Sequence, residues 1–336
     1  MKLSNVPEGY KKSETFFRNN EKGLGNPKGS QKKVSIIGAG NVGAAAALRI
    51  AETGLADVVL VDIVEGIPQG KALDILEAAP LCGSDSKVIG TNSYEDIKDS
   101  DICVITAGLP RKPGMSREDL INKNAAIVKS ISENIKKYAP DSAVIVVTNP
   151  LDVMSFVALK ATGFDKKKVI GMAGILDSTR FRAFIAQELN ASVNDVETLV
   201  LGSHGDSMVP VIEETKVKGK KIIELLDENK IKSLVERTRN GGGEFLPLLN
   251  TSAWVAPGFS IAEMAEAMLK GTKKTLPCSV YVEGEYGYSG IYLGLPVKLG
   301  KNGVEEIIKI KLNGETKKAL DKSADITKEN ISQLKL

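Results

Sequence analysis

The chain of 336 residues contains a single histidine, His204, and this residue is the first candidate for proton transfer. It follows the apolar segment 196–201, and flanking glycines would leave its imidazole accessible. An imidazole can pass a proton in either direction near neutral pH, although a lone histidine is more often structural. Asp177 and Arg180 stand three residues apart, so a helix would place them on one face. Such a pair is usually a surface ion pair, and by itself it does not define a site.

A second candidate is a phosphate-binding turn made of Gly38, Ala39, Gly40, Asn41, Val42 and Gly43. It follows the apolar segment 34–37 and opens an alanine-rich helical stretch, which is the context that this motif requires. Gly38 permits the tight turn, Gly40 lets the backbone approach a pyrophosphate, and Gly43 lets the helix pack on the strand. An ordinary strand–turn–helix is the alternative.

Asp62 ends the next apolar segment, 58–61. A carboxylate there can accept both ribose hydroxyls of an adenosine and would repel a 2′-phosphate, which favours NAD over NADP. The alternative is an ordinary acidic residue beside a helix.

A loop rich in Gly and Pro, residues 106–117, carries Arg111 and Arg117. Ligands of open parallel sheets bind beyond the carboxyl ends of the strands, so two arginines in a lid there indicate an anionic substrate. Solvated loop charges are the alternative. Asn149, before Pro150, could offer a donor and an acceptor to a ligand or could cap a helix.

Short apolar runs alternate with helical stretches from residue 32 to residue 161, which is typical of a parallel sheet covered on both faces. The predicted strands are 34–37, 58–61, 87–90, 102–106 and 143–148, and the predicted helices are 42–53, 68–78, 117–137 and 151–161.

The pattern after residue 174 is looser and indicates mixed α+β structure. It predicts helices near 178–189, 229–270 and 313–334, strands near 196–202, 209–212 and 215–218, and an antiparallel sheet from 277–283, 291–298 and 305–311. We therefore predict an α/β protein with a doubly wound parallel sheet in domain 31–172 and a substrate domain in 173–336. Residues 1–30 are expected to be a flexible arm, or an arm that wraps a neighbouring subunit.

Composition excludes several classes of protein. Apolar residues make up 42 % and charged residues 26 %, as in ordinary globular proteins, and 45 basic against 42 acidic residues give a net charge of +3. So small a charge argues against a nucleic acid or membrane partner. Cys82, Cys103 and Cys278 are far apart and form no CxxC pair, so we expect free thiols in the cytoplasm and no metal site.

Seven segments together resemble the L-lactate/L-malate dehydrogenase family, and within it the lactate-dehydrogenase-like malate enzymes of bacteria. The resemblance spans about residues 32–333, and the segments are GAGNVG, VDIVEGIPQGKALDI, TAGLPRKPGMSR, VTNPLDV, GMAGILDSTRFR, LGSHGDSMVP and LPCSVYVEGEYG. It implies a Rossmann domain that binds NAD, hydride transfer without a metal, and a homodimer or homotetramer. Helix 42–53 and helix 229–268 would be possible contact surfaces between subunits.

The resemblance also implies a role for each site residue. His204 would be the acid and base, Asp177 the carboxylate that orients it, and Arg180 the partner of the substrate carboxylate. Arg117 would polarise the reacting carbonyl, and Asn149 would bind the substrate oxygen. Asn124 would lie near the nicotinamide. The cofactor would be lined by the backbone of Val147, Thr148 and Asn149.

Arg111 occupies the position that separates substrates in this family. A cation there implies recognition of a second carboxylate, as in (S)-malate and oxaloacetate, whereas lactate enzymes usually carry Gln. L-Lactate dehydrogenase is the alternative, because some lineages of this family evolved that activity from malate enzymes. Residues 250–254 read NTSAW where relatives more often read GSAYY, a departure that concerns specificity at the far wall of the pocket. An NAD- and metal-dependent glycosidase and a non-catalytic nucleotide-binding protein fit the residues less well.

Overall fold

A nine-stranded sheet organises the computed structural model, which describes residues 32–110 and 114–335. The predicted arm 1–30 and the side chain of Arg111 lie outside the described residues. The strands are β1 (Lys33–Ile37), β2 (Asp57–Val61), β3 (Val88–Thr91), β4 (Ile102–Ile105), β5 (Ala143–Val146), β6 (Val169–Gly171), β7 (Val196–Glu197), β8 (Val200–Leu201), β9 (Val209–Pro210), β10 (Lys216–Val217), β11 (Lys220–Lys221), β12 (Lys274–Glu283), β13 (Ser289–Gly300) and β14 (Gly303–Ile307).

Helices cover both faces of this sheet. They are α1 (Asn41–Glu52), α2 (Ile67–Cys82), α3 (Arg117–Tyr138), α4 (Leu151–Thr162), α5 (Gly174–Glu188), α6 (Glu228–Asn240), α7 (Leu246–Leu249), α8 (Val255–Lys270) and α9 (Gly314–Ser332). The helices α1 to α4 begin within one residue of the predicted starts. None of the described helices is long and apolar enough to cross a membrane.

Six strands in the order β3-β2-β1-β4-β5-β6 are parallel, as predicted for a doubly wound sheet. Alternate side chains of β4 explain why both faces are covered. Ile102 and Val104 pack into the core that contains α1, α2 and α8, whereas Cys103 and Ile105 pack into the core that contains α3 and α4. A strand buried on both faces must be apolar throughout, which is why its sequence shows no alternation.

The antiparallel strands predicted in the second half extend this same sheet. Strand β12 pairs with β6, where Ser279 lies opposite Gly171, and β13 and β14 follow. The sequence pattern had not indicated β6, because three apolar residues after Lys166–Lys168 are too short for a periodicity. The domain boundary predicted between residues 172 and 173 falls in the connection from β6 to α5 and stays a prediction.

The helical region predicted over 229–270 is divided into α6, α7 and α8. Three consecutive glycines, 241–243, follow α6, and Asn250 ends α7 with a left-handed backbone (φ 52°). Helix α5 begins at Gly174, earlier than the predicted start near 178, so Asp177 lies in its first turn. This earlier start places the carboxylate at the positive end of the helix dipole, which favours its negative charge.

Candidate active site

The predicted phosphate-binding turn joins β1 to α1 and has the geometry that its glycines allow. Gly38 has a φ of 117°, which side-chain-bearing residues rarely adopt. A Cβ on Gly43 would overlap the carbonyl oxygen of Gly38, whereas a Cβ on Gly40 would meet no protein atom within 4 Å. Gly40 also caps α1 without a side chain, so the N–H groups of the first turn are available to an anion. The turn therefore fits a dinucleotide pyrophosphate.

Asp62 follows β2 and closes the turn from the side. Its Oδ2 accepts the Ala39 N–H at 2.7 Å, and its Oδ1 accepts the Val64 N–H at 3.0 Å. Lys71 donates from Nζ to the carbonyl oxygen of Ala39 at 2.7 Å, a contact that sequence analysis missed. The carboxylate thus has a fixed position at the end of β2, where an adenosine ribose is expected.

Asn124 braces the two loops that leave β4 and β5. Its side chain is buried, accepts from the Leu109 N–H at 2.8 Å, and donates to the carbonyl oxygens of Leu109 and Asn149 at 3.2 and 2.7 Å. Thr148 is also buried and donates to the carbonyl oxygen of Ala107 at 2.6 Å. The predicted place of Asn124 near the nicotinamide stays a prediction, whereas its hydrogen bonds connect the loop after β4 to the loop after β5.

The other predicted site residues are distributed around this edge of the sheet. Val147 and Asn149 flank Thr148, and Asn149 precedes Pro150 through a cis peptide bond. Because Pro150 itself is the N-cap of α4, Asn149 is not the cap that was considered as an alternative. Arg117 is the first residue of α3 and is exposed.

His204, Asp177 and Arg180 come together between α5 and the loop after β8. Nδ1 of His204 lies 2.9 Å from Oδ2 of Asp177, and Nη1 of Arg180 lies 3.8 Å from the other carboxylate oxygen. Only 2 % of the Asp177 side chain is exposed, against 12 % for Arg180 and 19 % for His204. The pair that looked like a surface ion pair is therefore buried, and the imidazole keeps an accessible edge.

The charges around His204 favour its protonated form. Burial by itself lowers the pKa of the imidazole, but the charge and hydrogen bond of Asp177, with the charge of Asp152, outweigh it and the opposing charge of Arg180. The pKa of His204 is therefore raised above its ordinary value of 6.5. A histidine in this state can donate a proton at neutral pH and accept it back.

Two further residues shape this cluster and were missed by sequence analysis. Gly241 lies against Arg180, and a Cβ there would overlap Cδ of the arginine and approach Nε to 2.8 Å. Asp152, buried in the first turn of α4, accepts the main-chain N–H of His204 at 3.1 Å. A glycine run and a single acidic residue carry no signal of these contacts, which depend on tertiary packing.

Comparison with known proteins is consistent with this geometry. Residues 32–171 match the lactate/malate dehydrogenase NAD binding domain, and residues 175–335 match the lactate/malate dehydrogenase alpha/beta C-terminal domain. A parallel strand order and a glycine-rich turn of this kind define a dinucleotide-binding domain. The chain belongs to the lactate/malate dehydrogenase family.

Individual relatives cover nearly the whole described part of the chain. The malate dehydrogenase of Methanosarcina barkeri is 53 % identical over 305 residues, which are 90 % of this chain and 99 % of that protein. The structure of malate dehydrogenase from Salinibacter ruber has a TM-score of 0.86 at 50 % identity, covering 90 % of this chain and 97 % of that one. The lactate dehydrogenase of Cryptosporidium parvum, complexed with lactic acid and nicotinamide adenine dinucleotide, has a TM-score of 0.88 at 43 % identity, covering 91 % and 98 %. The expected family, fold class and NAD cofactor are confirmed.

Proposed function

We propose that the chain catalyses the reversible oxidation of (S)-malate to oxaloacetate with NAD. The observation that carries this proposal is the buried cluster of His204, Asp177 and Arg180, which combines an acid–base group, its counter-charge and a cation for a carboxylate. The relatives named malate dehydrogenase support malate as the substrate.

The cofactor would be held by the turn 38–43 and by Asp62. NAD, when bound there, supplies the hydride acceptor. His204 takes the proton of the substrate hydroxyl at Nε2, because Nδ1 is engaged by Asp177. The Asp177 carboxylate compensates the imidazolium that forms, which in a closed site is worth several kcal/mol. In the reductive direction the protonated imidazole returns this proton to oxaloacetate.

Arg180 would bind the substrate carboxylate next to the reacting carbon, since its planar fork suits a bidentate pair. Arg117 would polarise the carbonyl and Asn149 would bind the substrate oxygen, both from the edge where the parallel strands end. The proposal keeps the cytoplasm as the compartment and a homodimer or homotetramer as the assembled form.

The direct test is NADH oxidation with oxaloacetate and with pyruvate, at equal concentrations. We expect oxaloacetate to be the better substrate by kcat/KM. A preference for pyruvate would replace the malate proposal by L-lactate dehydrogenase, the activity of the Cryptosporidium parvum relative.

Arg111→Gln tests which residue sets this preference. In the variant the second carboxylate of oxaloacetate loses a charge-assisted partner worth about 1.5–3 kcal/mol, so its kcat/KM should fall at least about tenfold. Pyruvate should improve, because its methyl group no longer faces a cation. An unchanged rate with oxaloacetate would mean that Arg111 is a solvated loop charge.

A further inference from the structure

Asp152 is a second buried carboxylate close to His204, and the proposed reaction gives it no role. It lies in the first turn of α4, with 3 % of the residue exposed. Removing a carboxylate from water costs free energy unless hydrogen-bond donors compensate it, so the donors around Asp152 require an explanation.

Three donors converge on this carboxylate. Oδ2 accepts the Ser203 hydroxyl at 2.6 Å and the His204 N–H at 3.1 Å, and Oδ1 accepts the Ser279 hydroxyl at 2.5 Å. The donors come from the loop after β8 and from β12, so Asp152 connects both of them to α4. The main chain of the only histidine is thus held on a helix that follows the Asn149–Pro150 loop.

The same carboxylate acts on the imidazole through its charge. Burial raises the pKa of Asp152, while the hydrogen bonds from Ser203 and Ser279 and the charge of His204 oppose that rise. Among the described residues, the charged groups that act on His204 are Asp177 and Arg180 on α5 and Asp152 on α4. The two carboxylates act on His204 in the same direction, and Arg180 opposes them.

We infer that Asp152 is a positioning residue for proton transfer, whose carboxylate holds the main chain of His204 and places a second negative charge beside its imidazole. This inference rests on the proposed role of His204 as acid and base. Asp177 orients the ring through Nδ1, whereas Asp152 holds the backbone that carries the ring.

Asp152→Asn separates charge from geometry. An amide oxygen at the position of Oδ2 can still accept from Ser203 and His204, and the NH₂ group can donate to the hydroxyl of Ser279. The three partners stay within hydrogen-bond distance, the bond with Ser279 reverses its direction, and the negative charge is removed. A matched control is Asp325→Asn, which removes a carboxylate of α9 whose side chain is 74 % exposed.

The readout is the titration of His204 itself. Because the chain has one histidine, tag-free protein labelled with ¹³Cε1-histidine gives a single imidazole signal by nuclear magnetic resonance. We expect its midpoint to fall by about 0.5 to 1 pH unit in Asp152→Asn, and to stay unchanged in Asp325→Asn. In Asp152→Asn, the KM for oxaloacetate should begin to rise at a lower pH than in wild type.

An unchanged midpoint in folded Asp152→Asn would overturn the inference, because Asp152 would then be a neutral packing group. If Asp152→Asn fails to fold, Asp152→Ser removes the same charge, and its shorter side chain no longer reaches the His204 N–H, so it tests the charge and the main-chain contact together. If wild type does not reduce oxaloacetate but the midpoint moves as expected, the proposed function fails and the electrostatic coupling stands.

Discussion

The cofactor turn and the acid–base cluster lie at the same edge of the sheet, but they are built in different ways. The turn 38–43 is one continuous stretch, and its shape follows from backbone rules such as the positive φ of Gly38. The cluster is assembled from α4, α5, the loop after β8 and the end of α6, and it depends on burial of opposite charges. A local motif can be recognised in the sequence, whereas a buried charge cluster depends on which helices and loops pack against one another.

The acidic residues of the two regions show the same difference. Asp62 is partly exposed and accepts one backbone N–H group from the turn after β1 and one from its own loop. Asp177 is buried and faces a titratable imidazole and a guanidinium. The first carboxylate selects a ligand by position, and the second changes the proton affinity of its neighbour.

Replacing His204 should give the largest difference between the two regions, because it should abolish most turnover and leave cofactor binding nearly unchanged. His204→Asn removes the acid and base, so kcat should fall about 10³-fold, within the range typical of general acid–base catalysis. NADH binding, measured by fluorescence, should remain within about twofold of wild type, because the turn 38–43 is untouched. A variant that keeps a tenth of wild-type turnover would remove His204 from the mechanism.

Removing the counter-charge should shift the pH dependence. If His204 is the acid and base, as we propose, oxaloacetate reduction needs imidazolium, so its kcat/KM should be constant at low pH and fall as pH rises through the raised pKa of His204. Malate oxidation needs neutral imidazole and rises through the same pKa. In Asp177→Asn only Asp152 of the described residues still raises the pKa of His204, while burial and Arg180 lower it. Both profiles should therefore move to lower pH, and oxaloacetate turnover at neutral pH should fall on the order of a hundredfold. Profiles that stay in place would contradict the assignment of Asp177.

Gly241→Ala tests the positioning of Arg180. The new methyl group would overlap the arginine side chain, so KM for oxaloacetate should rise on the order of tenfold, with a smaller change in kcat. The control is Gly242→Ala, since its backbone is also helical and a Cβ there meets no atom within 4 Å. Equal kinetic constants in the two variants would show that Arg180 does not depend on this contact.

The smallest effect is expected at the cofactor end. Asp62→Ser replaces the carboxylate by a shorter, uncharged hydroxyl group, so the ratio of kcat/KM for NAD to that for NADP should fall on the order of fivefold. Asp62→Asn is the control that keeps an acceptor for the Ala39 N–H while removing the charge. Equal wild-type rates with both cofactors at low concentration would mean that Asp62 does not select NAD.

Sequence patterns predicted most of the doubly wound half, whereas the candidate catalytic residues were proposed from the family resemblance. Apolar runs and glycines indicated β1, α1 and the turn between them from local rules alone. Asp177, Arg180 and His204 gained meaning only from the family resemblance, since each by itself fits an ordinary surface or structural residue. Strand β6 was missed because it is three residues long and is recognised only by its partners β5 and β12.

The amino-acid sequence by itself determined the alternation of strands and helices, the phosphate-binding turn, the acidic end of β2 and the presence of a single histidine. The tertiary structure decided that Asp177 is buried against His204, that Asp152 holds the histidine main chain, and that Gly241 makes room for Arg180. The physical reason is the distance along the chain over which each kind of interaction acts. Backbone propensities act over a few residues, whereas the free energy of a buried charge depends on neighbours that the sheet brings from distant parts of the chain.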